Sequence, residues 1–222
     1  MTFDLRKLNS VKLNSADKTV SVGAGGSWDL VYSQLDPMNL TVNGGRTAGV
    51  GIGGLSTGGG ISYFSTRYGW TADTIVNFEV VLADGSIVNA NANENSDLLW
   101  ALRGGSNNFG VVTRIDIQTY EQEPFFGGYA YHFSNVWVEE VQEFVKINDA
   151  ATYDEFAHLT LTYAFSAGGL VIANQMEYTK AVENPPVFAK LRALPELFSS
   201  FGISPVAKLS QDLKNQAVNG QR

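Results

Sequence analysis

Short period-two runs dominate the first half of the chain. Residues 11–13 and 19–22 alternate apolar and polar positions around Asn14, Ser15, Ala16 and Asp17, which predicts two strands joined by a turn. The spacing then lengthens. After 23–26 (GAGG), Leu30, Val31 and Leu35 share one helical face, with Ser27 as cap and Asp36-Pro37 as stop. Residues 40–42 predict a short strand and 61–68 a short helix before Gly69. Residues 75–82 (IVNFEVVL) and 86–91 (SIVNAN) flank Ala83-Asp84-Gly85, and two strand patterns around Asp-Gly are the strongest hairpin signal in the chain. Ser96 opens a helix carrying Leu98, Leu99, Trp100, Ala101 and Leu102, closed by Arg103-Gly104-Gly105. Residues 110–119 predict a further strand.

Beyond 121–124 the glycine clusters nearly vanish. The pattern there predicts a strand over 129–133, a helix over 136–147, hairpin strands over 156–165 and 170–178, and a helix over 187–198. This shift marks a domain boundary, giving an α+β chain with units at 1–121 and 122–222.

Between the first strands and the hairpin lies GGRTAGVGIGGLSTGGG, where nine of seventeen residues (44–60) are glycine. Glycine adds nothing to a core and costs backbone entropy, so the cluster needs a cause other than packing. Close approach of backbone to a ligand is that cause, since successive N–H groups can turn toward an anion. A flexible linker is the alternative, but linkers pair glycine with serine and lack the apolar punctuation of Val50, Ile52, Leu55 and Ile61. A second cluster, 102–113 (LRGGSNNFGVVT), reads alone as a connector. Two clusters beside β-structure in one unit point to a shared ligand.

The 222 residues suffice for one large or two small cores, and 44% hydrophobic and 12% aromatic content are globular values. A net charge of −7 argues against nucleic acid, while backbone amides can still hold a pyrophosphate without Lys or Arg. Cysteine is absent, which removes disulfides, thiolate metal sites and cysteine nucleophiles. No apolar run reaches the length of a membrane span, and the opening MTFDLRKLNS has no signal-peptide core, so no membrane partner is expected and the compartment stays open. Nothing in the composition fixes an oligomeric state.

Gly49-Val50-Gly51-Ile52-Gly53-Gly54 satisfies G-x-G-x-x-G, the nicotinamide dinucleotide fingerprint. That fingerprint belongs between a strand and a stable helix in a βαβ unit, whereas here more glycine follows and Asp73 precedes the next strand, so the match reads as coincidence. No G-K-[ST] follows, which excludes a nucleoside-triphosphate loop. His132 and His158 fall in apolar strand-like runs with no acidic partner at a recognisable spacing, and two separated histidines do not make a metal site. Glu79, Asp84 and Asp97 form no poised acid–base pair. Tyr63, Phe64, Tyr68 and Trp70 crowd beside the glycine run, as packing or as walls for a planar ring.

Four linked motifs now stand in order: GGRTAGVGIGGLSTGGG, RYGWTAD (67–73), VVLADGSIVNAN (80–91) and SDLLWALRGGSNNFGVVT (96–113). Together they resemble FAD-linked oxidases of the vanillyl-alcohol oxidase type, with a PCMH-type FAD-binding domain, in their fungal berberine-bridge-enzyme-like branch. The resemblance runs from a strand at 3–5 through the whole chain. It implies the second FAD-binding subdomain followed by the first part of a sheet-plus-helices substrate domain. It further implies a cofactor, FAD, and a small organic substrate that passes a hydride to flavin, with electrons going on to oxygen. Position by position it places Val50, Gly51, Gly54, Gly58, Gly59 and Gly60 against the flavin and its pyrophosphate, and Tyr68, Asp73 and Ile75 beside the cofactor. Gly110, Val111 and Val112 match a stretch whose backbone contacts FAD. Members are longer at both ends, so the chain is expected to be the middle of such an oxidase. The histidine that usually links the flavin, and the catalytic base, lie outside it. Thr47 stands where some relatives carry a linking cysteine, which implies non-covalent FAD. The alternatives are an inactive truncated remnant and, more weakly, a nicotinamide-dependent dehydrogenase domain.

Overall fold

A computed structural model describes residues 2–166 and 168–216. The chain divides into two compact units, 1–122 with 206–222, and 123–205.

The first unit is built on a six-stranded antiparallel sheet of β1 (Val11–Asn14), β2 (Thr19–Gly23), β3 (Leu40–Val42), β4 (Ile75–Val81), β5 (Ile87–Asn91) and β6 (Val111–Glu121). The 11-residue β6 organises it. It pairs with β4 along one edge, with β2 along the other (Val22 opposite Ile115), and with β3 near its end (Thr41 opposite Tyr120). Val20, Val22, Phe78, Ile115 and Ile117 are fully buried, joined by Trp28, Val31, Tyr32 and Leu35 of α1 (Trp28–Leu35). Period-two burial on the strands against a helical stripe on α1 is what closes this core. The β4–β5 hairpin turns at Gly85, whose φ of +86° fits the Asp-Gly signal. Three short helices complete the unit's first 122 residues: α2 (Ile52–Thr57), α3 (Ser65–Tyr68) and α4 (Ser96–Leu102).

In the second unit, β7 (Phe125–Phe133), β8 (Ala157–Ser166), β9 (Gly169–Tyr178) and β10 (Phe198–Ser204) form an antiparallel sheet in the order β10-β7-β9-β8. Helices α5 (Trp137–Ile147) and α6 (Ala189–Arg192) accompany it, and Phe126, Ala157, Met176, Phe188 and Leu191 form its core. Helix α7 (Val206–Gln216) belongs to the first unit. The Ala207 N–H donates to Asp36 at 2.8 Å and the Ala48 N–H to the Ser210 carbonyl at 3.0 Å.

Several expectations are corrected. Residues 3–5 form no strand, and the helix expected over 61–68 shrinks to Ser65–Tyr68. The helix expected over 187–198 is a 3₁₀ turn, Pro186–Phe188, and the single turn of α6; Pro195 disfavours helix at Leu194 and the chain continues as β10. The span 122–222 is not one unit, because α7 packs on α1 of the first. His132 does have an acidic partner. Both side chains are buried, and its Nε2 lies 3.6 Å from Glu140 Oε1.

Candidate functional site

The glycine run is an anchored, partly helical loop. Tyr32 and Tyr63 donate their hydroxyls to the carbonyls of Gly45 and Arg46, each at 3.0 Å, and the Gly49 N–H donates to Asp29 Oδ1 at 2.7 Å. Burial, followed by the Asp36 charge, pushes the Tyr32 hydroxyl upward against a hydrogen bond with the Gly44 backbone. Asp29 moves the other way: its burial acts to raise it, but the Gly49 N–H, Ser27 and Lys214 outweigh that and hold it below the usual carboxylate range. The chain then enters α2 directly, contrary to the expectation that no helix follows Gly54. A helix with two glycines has poor propensity, so its support is tertiary. Ile52 is fully buried, and the Ile52 and Gly53 N–H groups donate to the carbonyls of Gly26 and Ala24 at 3.0 and 3.1 Å. Gly59 (φ +103°) and Gly60 (φ +79°) then reverse the chain, and their carbonyls accept the N–H groups of Ala72 and Thr71.

The glycines divide by what surrounds them. A Cβ on Gly44 or Gly45 would lie 2.3–2.8 Å from the Trp28 ring, with Tyr32 or Leu55 also in the way, and one on Gly60 would lie 2.4 Å from Leu55 and 2.7 Å from Thr71. A Cβ on Gly110 (φ +135°) would meet Val80 at 2.7 Å. Packing therefore does account for part of the cluster, which the sequence reading denied. Around Gly51, Gly54 and Gly104, by contrast, no described atom beyond the adjoining residues and the helix's own backbone lies within 4 Å of a Cβ, and Gly59 faces only Trp70 at 3.8 Å. Glycine in a helix facing open space costs about 1 kcal/mol against alanine with no packing return.

The two clusters meet. The 3₁₀ turn Ser106–Asn108 lies beside α2, and Asp73, Trp100, Ala101, Arg103, Gly104, Gly105 and Phe109 line a cavity of about 500 Å³. Arg103 is held there by donating to the Ile75 carbonyl at 2.6 Å. Asp73 caps its own turn, accepting the Trp70 N–H at 2.8 Å. Tyr68 lies elsewhere. Its ring stacks on Tyr120 at 3.8 Å, bordering a different cavity with Leu13, Lys18 and Leu40; burial, followed by the Tyr68 hydroxyl, pushes Tyr120 up to about 12. The Ile75 and Val112 side chains are buried in the core, so these residues and Gly110 can offer a ligand only backbone, while Val50 and Val111 are partly exposed.

The sequence reading did not single out Ser56 and Thr71. Both are buried beside the loop, and among the described residues their hydroxyls have no hydrogen-bond partner. The two hydroxyls are closed off from any ligand, whereas the glycines facing open space suit one held mainly by main-chain contacts, as a dinucleotide pyrophosphate is. The described residues contain no group of potential metal ligands. All strand pairings are antiparallel, so the parallel βαβ unit that a nicotinamide fingerprint requires is not formed by the described residues.

Residues 1–91 match the family model described as FAD binding domain. Over those residues the chain is similar to FAD-binding proteins. It is 44% identical over 202 residues to the FAD-dependent monooxygenase CTB5 of Cercospora nicotianae, covering 90% of this chain and 42% of that protein. The chain thus spans less than half the length of this curated relative. Its fold matches 6-hydroxy-D-nicotine oxidase of Arthrobacter nicotinovorans with a TM-score of 0.84 at 20% identity, over 97% of this chain and 48% of that one. It also matches BBE-like #28 of Arabidopsis thaliana with a TM-score of 0.77 at 22% identity, over 98% and 45%. The chain therefore shares the mixed helix-and-sheet fold of these two proteins. No helix among the described residues is long and apolar enough to cross a membrane.

Proposed function

We propose that this chain contributes the glycine-lined half of an FAD site to an enzyme that oxidises a small organic molecule. The observation that carries the reading is the set of glycines facing open space on and beside α2, next to the Ser106–Asn108 turn. Val50, Gly51, Gly54, Gly58, Gly59 and Gly60 would bring main chain to the cofactor, and Gly110, Val111 and Val112 would do so from the start of β6. Tyr68, Asp73 and Ile75 would act through the position of the 67–75 segment. Asp73 holds that segment's turn through the Trp70 N–H, and the Ile75 carbonyl fixes Arg103 at the cavity wall. Residues 1–121 would form part of the FAD-binding domain, and the second sheet the start of a substrate-binding unit.

Bound FAD would supply hydride acceptance from the substrate, with electrons passing to oxygen. The protein's share is to place the cofactor and exclude water from it. Anion binding by an acidic chain is consistent with this, since the donors are backbone amides rather than Lys or Arg. The name of the Cercospora relative favours a second reading, in which an oxygen atom is transferred to the substrate.

Titrating the purified chain with FAD, FMN and NAD, followed by flavin fluorescence, tests the site; FAD alone should bind. Peroxide release against ¹⁸O incorporation, measured under turnover, then separates oxidase from monooxygenase. Failure to bind FAD, with the fold intact by circular dichroism, would favour the idle remnant.

A further inference from the structure

The second unit carries a buried polar cluster unrelated to the glycine site. His132 on β7 and Glu140 on α5 have side chains 1% and 0% exposed. The His132 Nδ1 lies 2.9 Å from the Pro195 carbonyl oxygen, which can only accept, so the Nδ1 proton is fixed there. That leaves Nε2 directed at Glu140 Oε1 across 3.6 Å, with no other hydrogen-bond partner. Asn174 on β9 donates its amide to both Glu140 oxygens at 2.7 Å.

A bare Nε2 lone pair and an ionised Glu140 carboxylate oxygen cannot face each other here without a proton between them. One amide does not compensate a buried charge, and an unprotonated Nε2 would repel it. Burial chiefly drives Glu140 upward, opposed by the Asn174 amide and by His132. The other groups packed on this side are Tyr163 on β8, itself pushed up by burial and by Glu140, and two pairs engaged elsewhere. Glu143 on α5 meets Lys146 and Lys190, and Arg192 meets Glu196. None brings a cation to Glu140 in place of His132.

We propose that His132 and Glu140 share one proton across the Nε2–Oε1 gap, and that this proton is a pH-sensitive latch holding α5 to the sheet of the second unit.

The sign follows from counting protons beyond Nδ1–H. The closed pair holds one. In the opened chain histidine binds its proton below about 6.5 and glutamate below about 4.3. Between those values both states hold one, and stability is flat. Above about 6.5 the open state holds none, so opening releases a proton and becomes about tenfold more favourable per pH unit until the closed pair itself deprotonates. Below about 4.3 the open state binds a second proton, and the latch weakens again.

Hydrogen exchange of the full chain by mass spectrometry, corrected for intrinsic rates, reads this directly. Protection of α5 amides should be level from pH 5 to 6.5. It should then fall about tenfold per unit toward pH 8.5, measured against β4 and β6 amides of the first unit. Glu140→Gln should abolish that slope. A level wild-type profile above pH 7, or an equal slope in Glu140→Gln, overturns the proposal. Should the variant not fold, ¹⁵N spectra of wild-type His132 decide. A protonated or strongly hydrogen-bonded Nε2 at pH 7.5 supports the latch, and a free lone pair there refutes it.

Discussion

The Gly49 N–H donates to Asp29 Oδ1 across 2.7 Å, tying the entrance of the glycine run to the first turn of α1. Helix α7 supports the same point, through the Ala48 N–H on the Ser210 carbonyl and through Lys214 beside Gly49. Asp29→Ala should therefore cost about 1 kcal/mol of stability, a charged hydrogen bond discounted for partial exposure. It should weaken FAD binding more than its effect on unfolding predicts, because the loop it fixes is the proposed site. The Asp29 contribution has a definite sign with pH. Its carboxyl is held below the usual range, so the stabilisation is complete above about pH 4 and fades as pH falls through the folded value. Urea midpoints of wild type and Asp29→Ala should converge at low pH; midpoints that stay equally separated down to pH 2 would rule this out.

Glycines of the same run should respond oppositely to alanine. Gly54 sits in α2 with open space around its Cβ position, so Gly54→Ala should leave stability unchanged or raise it by up to about 1 kcal/mol while reducing FAD affinity. Gly45→Ala would drive a methyl into Trp28 and Leu55 and should cost about 1–3 kcal/mol with or without cofactor. Thermal melts with and without FAD separate the two effects. Unimpaired FAD affinity in Gly54→Ala would remove α2 from the site.

Asp73 offers a sharper discrimination between positioning and direct contact. Its carboxylate already accepts the Trp70 N–H at 2.8 Å, as a cap does. Asp73→Ala should cost about 1 kcal/mol, and Asp73→Asn, which keeps an acceptor oxygen, should restore most of it. If Asp73 acts only by holding its turn, Asn should restore FAD affinity in parallel. An Asn variant that is stable yet binds poorly would show that the charge itself faces the ligand.

What the sequence made legible follows from where local and tertiary forces agree. The β4–β5 hairpin was readable because period-two strands and an Asp-Gly turn say the same thing, and Gly85 has the positive φ that the turn needs. Helix α2 was not, because its glycines argue against helix while buried Ile52 and the carbonyls of Gly26 and Ala24, distant in sequence, impose it. Leu191, Leu194 and Phe198 sit at near-helical spacing, which hid the break at Pro195 and the strand beyond. Within the glycine run, composition cannot tell Gly45, which makes room for Trp28, from Gly54, which faces nothing. Only the fold does. His132 and Glu140 meet because α5 folds back over β7, a relation no spacing rule encodes.

Flavin should be held by this chain without a covalent bond. A covalent link needs a nucleophilic side chain at the ring edge, and this chain has no cysteine, with Thr47 at the position the resemblance assigns to one. Of the two histidines, His132 is fully buried, with Nδ1 on the Pro195 carbonyl and Nε2 on Glu140, so neither nitrogen is available for attack. His158 lies on β8 of the second unit, its Nε2 3.5 Å from the Thr160 hydroxyl. FAD bound by this chain should therefore be released by acid precipitation, leaving a colourless pellet and a yellow supernatant. Each pyrophosphate hydrogen bond that these residues do not supply costs about 1–3 kcal/mol of uncompensated desolvation, so affinity should also be modest and readily lost on gel filtration. Flavin that stays with the acid-denatured pellet would overturn the argument and identify His158 as the attachment point. His158→Ala would then be expected to release it.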